Sequence, residues 1–342
     1  MGAIKIMQAT KIVLLTGISG LALQLAAPAA LAADLSRKAP LLTKAPPAPP
    51  RGVWTWWAEG GWSNVGGDPF VAGFNNPPFD LMPKRWGGQS AVGVDYRFAS
   101  SPYHLSADFR YMANGSNSGG GPEIAIFTPF GAHPVTGTNA ATRKENNWEA
   151  DFMVGRDLDI GNPAQLKVGL RVADIWGQTT GSAHWAYALI TPPPLTGAYA
   201  QTSNYQQTDK FLGVGPRVAI EGVVPLQGAW SIDYNGGIAG LFGHSSGNQA
   251  VSVISTTTSA PPVLPVCLSG CPIAVNSSSN AFVFNADAQA GIAYAFSPGA
   301  KLSLNYRFEG YWNPLRGFNS AGAPTNLART YNGPTLKLTV AY

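Results

Sequence analysis

A strict two-residue alternation constrains this chain more than any other feature. In AVGVDYRF, residues 91–98, Val92, Val94, Tyr96 and Phe98 alternate with Gly93, Asp95 and Arg97. Successive side chains of an extended strand point to opposite faces, so one face is apolar and the other carries charge. YHLSADFRY sets Tyr103, Leu105, Ala107, Phe109 and Tyr111 against His104, Ser106, Asp108 and Arg110. KLSLNYRFEGYW sets Leu302, Leu304, Tyr306 and Phe308 against Lys301, Ser303, Asn305, Arg307 and Glu309, and TLKLTVAY sets Leu336, Leu338, Val340 and Tyr342 against Lys337 and two threonines. Such a chain is all-β. A soluble sandwich and a membrane barrel both alternate this way, so alternation leaves both open.

The connections separate them. Ten strands are predicted, at 53–63, 87–98, 103–112, 147–158, 164–177, 209–224, 229–243, 281–296, 301–312 and 331–342. The intervening segments alternate between long (64–86, 113–146, 178–208, 244–280, 313–330) and short (99–102, 159–163, 225–228, 297–300). Long excursions on one side and tight turns on the other are the habit of transmembrane up-and-down barrels, with the short turns periplasmic and the long loops extracellular. Aromatic rings mark the strand ends: Trp54, Phe98, Tyr103, Trp230, Phe296 and Tyr342 near the short turns, and Trp62, Trp86, Tyr111, Trp148, Trp176, Phe242, Phe282, Trp312 and Tyr331 near the long loops. Two such girdles fit the two membrane interfaces. The expected fold is an antiparallel barrel of about ten strands, with eight to twelve allowed because EIAIFTPF and HWAYALITPPP could lengthen or add strands.

Charged residues make up only 12% of the chain, about half the share usual in soluble domains. After the leader no apolar run reaches the roughly 18 residues of a membrane helix. Residues 1–32 read as a signal peptide, with Lys5 and Lys11, an apolar stretch and the small-residue run AAPAALAA. Residues 33–52, containing RKAPLLTKAPPAPPR, read as a proline-rich periplasmic linker, leaving 53–342 for the barrel. Without the two leader lysines, 20 of the 22 basic residues face 18 acidic ones, which gives no basis for nucleic-acid binding.

Charges opposite the lipid face belong in the lumen, since at the bilayer midplane each would cost several kcal/mol. Eight are constriction candidates: Glu149, Asp151, Lys167, Arg171, Arg217, Glu221, Arg307 and Glu309. They either pair across a filled interior or line a water-filled passage. Ten strands lie close to the width at which side chains fill a barrel, which favours pairing. Cys267 and Cys271, in PVCLSGCP, are expected to form a disulfide in an oxidising compartment. His244 with Ser245, or His184 with Asp174, could be drawn as hydrolytic pairs, but nothing fixes their geometry and no enzyme is expected. No metal set and no cofactor motif is present.

NWEADFMVGRDLDIGNPAQLKVGLRVADIW, KFLGVGPRVAIEGVVPL, FNADAQAGIAYAF and KLSLNYRFEGYW together resemble the Legionella-type family of pore-forming major outer membrane proteins. The resemblance implies an outer-membrane barrel passing small polar solutes by diffusion, and it brings no catalytic residues. AADLSRKAP followed by KAPPAPP resembles the opening of alphaproteobacterial outer-membrane barrels, in some of which an Ala-Asp terminus joins peptidoglycan; Ala33 and Asp34 match. The implied partners are outer-membrane lipid, the β-barrel assembly machinery reading the terminal Tyr342, peptidoglycan and small polar solutes. The alternative is a sealed scaffold barrel that presents surface loops and tethers the membrane to the wall.

Overall fold

The computed structural model describes residues 52–68, 71–72, 79–80, 85–127, 133–159, 163–190, 196–259, 273–318 and 323–342. The leader, most of the linker with Ala33 and Asp34, and the Cys267–Cys271 pair lie outside them. Twelve strands follow in order: β1 (Val53–Gly67), β2 (Val71–Ala72), β3 (Phe79–Asp80), β4 (Arg85–Arg97), β5 (Tyr103–Phe127), β6 (His133–Asp159), β7 (Pro163–Ile190), β8 (Thr196–Pro225), β9 (Trp230–Ser259), β10 (Ile273–Ser297), β11 (Ala300–Phe318) and β12 (Pro324–Ala341). β2 and β3 pair only with each other; the other ten close a barrel in which each strand hydrogen-bonds to its sequence neighbour.

The seam joins β1 to β12, with Thr55 opposite Ala341 and Gly61 opposite Thr335. Trp54 and Tyr342 exchange two backbone hydrogen bonds of 3.1 and 3.0 Å. TLKLTVAY is thus a closing strand, because an open edge in lipid would leave backbone groups unsatisfied. The turns at the Tyr342 end are short; the β8–β9 turn places Gly228 at a φ of 71°, where a Cβ would strain the backbone.

The outward rows are apolar and exposed. Phe152, Leu170, Ile238, Ile292, Leu304, Tyr306 and Leu336 are all at least half exposed, as suits residues solvated by acyl chains. Trp54, Tyr103, Trp230, Phe296 and Tyr342 ring one end, and Trp62, Trp86, Phe242, Phe282 and Trp312 the other.

Two expectations are corrected. The predicted long loops are largely strand: β6 to β9 run 27 to 30 residues, where a tilted membrane strand needs about 9–11. Beyond the bilayer both faces meet water, so the hydrophobic alternation vanishes while the backbone ladder continues; segments such as TTGSAH and SSGNQA carry no period for the eye to follow. Tyr331 also leaves the girdle. It points inward, 2% exposed, because its hydroxyl donates to Glu145 Oε1 at 3.1 Å.

Candidate functional site: the barrel lumen

Inward-facing side chains form four successive levels. The lowest, at the short-turn mouth, is built on lysine. Lys167 Nζ lies 3.3 Å from Asp95 and 2.6 Å from Glu221, and Lys301 lies 2.7 Å from Asp233. His104 Nδ1 is 2.7 Å from Asp95 Oδ2. The lysines and their carboxylates line a vestibule of about 450 Å³ reaching to Val53, Arg97 and Pro163 at the strand ends.

Arginine dominates the second level. The Arg171 guanidinium contacts Asp151 through two nitrogens at 2.7 and 2.6 Å. Its third nitrogen lies 2.9 Å from Glu309, 3.0 Å from Glu149 and 3.2 Å from Asp287. Arg217 forks onto Asp287 at 2.5 and 3.0 Å, Arg307 reaches Glu149 at 2.7 Å, and Arg110 reaches Glu59 at 2.5 Å. Planar five-donor guanidiniums can satisfy several carboxylates at once, which a lysine ammonium does less well. The void left at this level is about 60 Å³.

The third level is uncharged and mainly apolar, with Ser63, Asn147 and Ser245 as its polar members. Met112, Ile175, Phe211, Leu241, Val283 and Leu315 point inward and are at most 1% exposed, forming one cluster. They stand beside the outer aromatic girdle: Ile175 precedes Trp176, Leu241 precedes Phe242 and Val283 follows Phe282. Gly213 makes room for the Phe211 ring, which a Cβ there would strike.

The fourth level lies beyond the girdle on the long-strand side. Arg143 forks onto Asp209 at 2.8 and 2.7 Å and contacts Glu145 at 2.8 Å. Arg329 Nε donates to Glu145 Oε1 at 2.9 Å. Burial works against the Arg143 charge, and the Asp209 and Glu145 carboxylates overcome it, so its pKa lies above the usual arginine value.

All eight sequence candidates face the lumen. Lys167 and Glu221 stand at the mouth, and Glu149, Asp151, Arg171, Arg217, Arg307 and Glu309 form the second level. Glu59, Arg143, Glu145, Asp209 and Arg329 were missed: Arg143 and Glu145 fell in 113–146 and Arg329 in 313–330, both read as loops, while Glu59 and Asp209 lay on predicted strands, Asp209 at the very start of its own. The apolar level was missed too, although adjacent apolar pairs at strand ends (Ile175–Trp176, Phe211–Leu212, Leu241–Phe242) break the alternation and signal it. The hydrolytic pairings do not form. His184 Nδ1 is 3.0 Å from Thr202, Asp174 binds Lys210 at 3.2 Å, and Ser245 is turned inward to donate to the Pro314 carbonyl at 3.0 Å.

The family model described as Legionella pneumophila major outer membrane protein precursor matches residues 72–342. No curated protein sequence matches the chain. Among solved structures, the outer membrane protease OmpT from Escherichia coli is 10% identical, with a TM-score of 0.40 over 86% of this chain and 97% of that one. The Pseudomonas putida toluene transporter TodX is 7% identical (TM-score 0.26; 86% and 90% covered). The transport unit of the Escherichia coli autotransporter AIDA-I is 10% identical (TM-score 0.28; 88% and 94% covered).

Proposed function

Since the chain belongs to the family of the Legionella pneumophila major outer membrane protein, we propose that it is a non-enzymatic outer-membrane scaffold whose lumen is closed to hydrated solutes. It presents tall hairpins outside and, through a proline-rich arm beginning at Ala33–Asp34, tethers the membrane to the wall. One observation carries the closed reading: a buried, uncharged and mainly apolar cluster around Phe211 and Leu241 lies between two levels of paired charge. A hydrated ion or sugar crossing it would shed water and find few replacement partners there.

Passive diffusion of small polar solutes is the second reading. It draws support from the vestibule of about 450 Å³ beneath the Arg171 level, and it requires both the arginine level and the apolar cluster to part. Single-channel recording in planar bilayers separates the two. Folded protein that inserts without conductance steps agrees with the scaffold; steady steps abolish it and favour the porin. Recovery of the Ala33–Asp34 terminus attached to purified sacculi is expected from the tether, and a terminus that is always free removes that part of the reading.

A further inference from the structure

The vestibule at the periplasmic mouth holds one cation that the ion pairs do not use. Lys337 lines both the vestibule and the small void above it, so its side chain stands at the vestibule floor. Its ammonium lies 4.4 Å from the centre of the Trp57 ring. Among the described residues it has no ion pair, whereas Lys167, Lys301 and Arg97 each have a carboxylate. The same cavity is lined by residues whose buried acceptors lack a donor: Asn235 Oδ1 and Gln165 Oε1 have no hydrogen-bond partner.

A spare ammonium and spare acceptors on one cavity wall define a ligand with both a negative group and hydrogen-bond donors. Charge balance narrows the class. The lining carries Arg97, Lys167, Lys301 and Lys337 against Asp95, Asp157, Glu221 and Asp233, four of each sign. A net anion would meet four carboxylates and a net cation four basic groups, so neither gains from the cavity as a whole. A neutral molecule with separated charges gains at both ends.

We propose that this vestibule binds a small zwitterion entering from the periplasm, an amino acid or short peptide. Its carboxylate sits on Lys337 above Trp57, and its ammonium donates to Asn235 and Gln165 near Glu221. The site needs only the mouth, so it stands whether the barrel above is closed or conducting.

Titration calorimetry on the folded protein in detergent micelles tests this with three probes: dialanine, acetate and ethylamine. Dialanine is expected to bind measurably more tightly than either half. Lys337→Met keeps the stem over Trp57 and removes the charge; dialanine affinity should fall roughly tenfold or more, the loss expected for a charge-assisted hydrogen bond. Gln165→Leu, on the opposite strand group, should weaken dialanine and leave acetate unchanged, and it serves as the independent variant where Lys337→Met does not fold. No dialanine binding by the wild type overturns the proposal. Acetate binding equal to dialanine, or unchanged dialanine affinity in the folded variants, does so as well.

Discussion

The mouth and the middle of this lumen hold similar numbers of charges and differ in which cation carries them. At the mouth, Lys167 and Lys301 meet two and one carboxylates, Lys337 meets none among the described residues, and a vestibule of about 450 Å³ is left. At mid-membrane, arginines meet several carboxylates each and leave about 60 Å³. Lysine is a compact, strongly hydrated point charge on a flexible stem; guanidinium is planar, weakly hydrated and forks. A barrel of fixed girth can therefore be wet where lysine lines it and filled where arginine does. The apolar level above makes the contrast sharper, since there the interior dispenses with charge altogether.

Breaking the arginine hub should have the largest effect. Arg171→Met leaves Asp151, Glu149, Glu309 and Asp287 facing one another with too few cations, and about 3–5 kcal/mol of stability should be lost; a urea midpoint in micelles, followed by heat-modifiable gel migration, measures it. Phe211→Ala empties part of the apolar level and should cost about 3 kcal/mol. In the scaffold reading it is also the variant most prone to conduct in planar bilayers. At the mouth, Lys167→Met should cost only about 1 kcal/mol by the same urea measurement, because Asp95 keeps His104 and Glu221 keeps its contact with Gln165. A loss at Lys167 as large as that at Arg171 would erase the distinction between the levels. Smallest is Arg97→Ala: its 2.9 Å pair with Asp157 is half exposed, so the urea midpoint should move by under about 0.5 kcal/mol, with less still at high salt.

The legible parts of this molecule were those in which one strand's own sequence held the information. Val92, Val94 and Phe98 can be assigned to the lipid face from AVGVDYRF alone, and Arg97 and Asp95 to the lumen, because the pleat links them directly. Pairing was illegible for the opposite reason. Arg171 meets Glu309 across 138 positions, and Arg329 meets Glu145 across 184, so each choice of partner depends on how many strands close the ring and in what register. The tall hairpins were hidden differently: outside the bilayer Thr179, Ser203 and Gln207 line a buried interior with residues that also suit loops, and composition there has no face to report.

The sequence by itself determined the all-β class, a barrel of about ten strands, the alternation of short and long connections and the face on which the charges of the membrane-spanning strands belong. These follow from local rules, the two-residue pleat and the cost of charge in lipid. Only the tertiary structure decided that Arg171 gathers four carboxylates, that Phe211 and Leu241 join a buried apolar cluster above them, and that Lys337 is left with an indole face. Those outcomes depend on distances across the lumen, and closure of the ring between Trp54 and Tyr342 sets such distances for all ten strands at once.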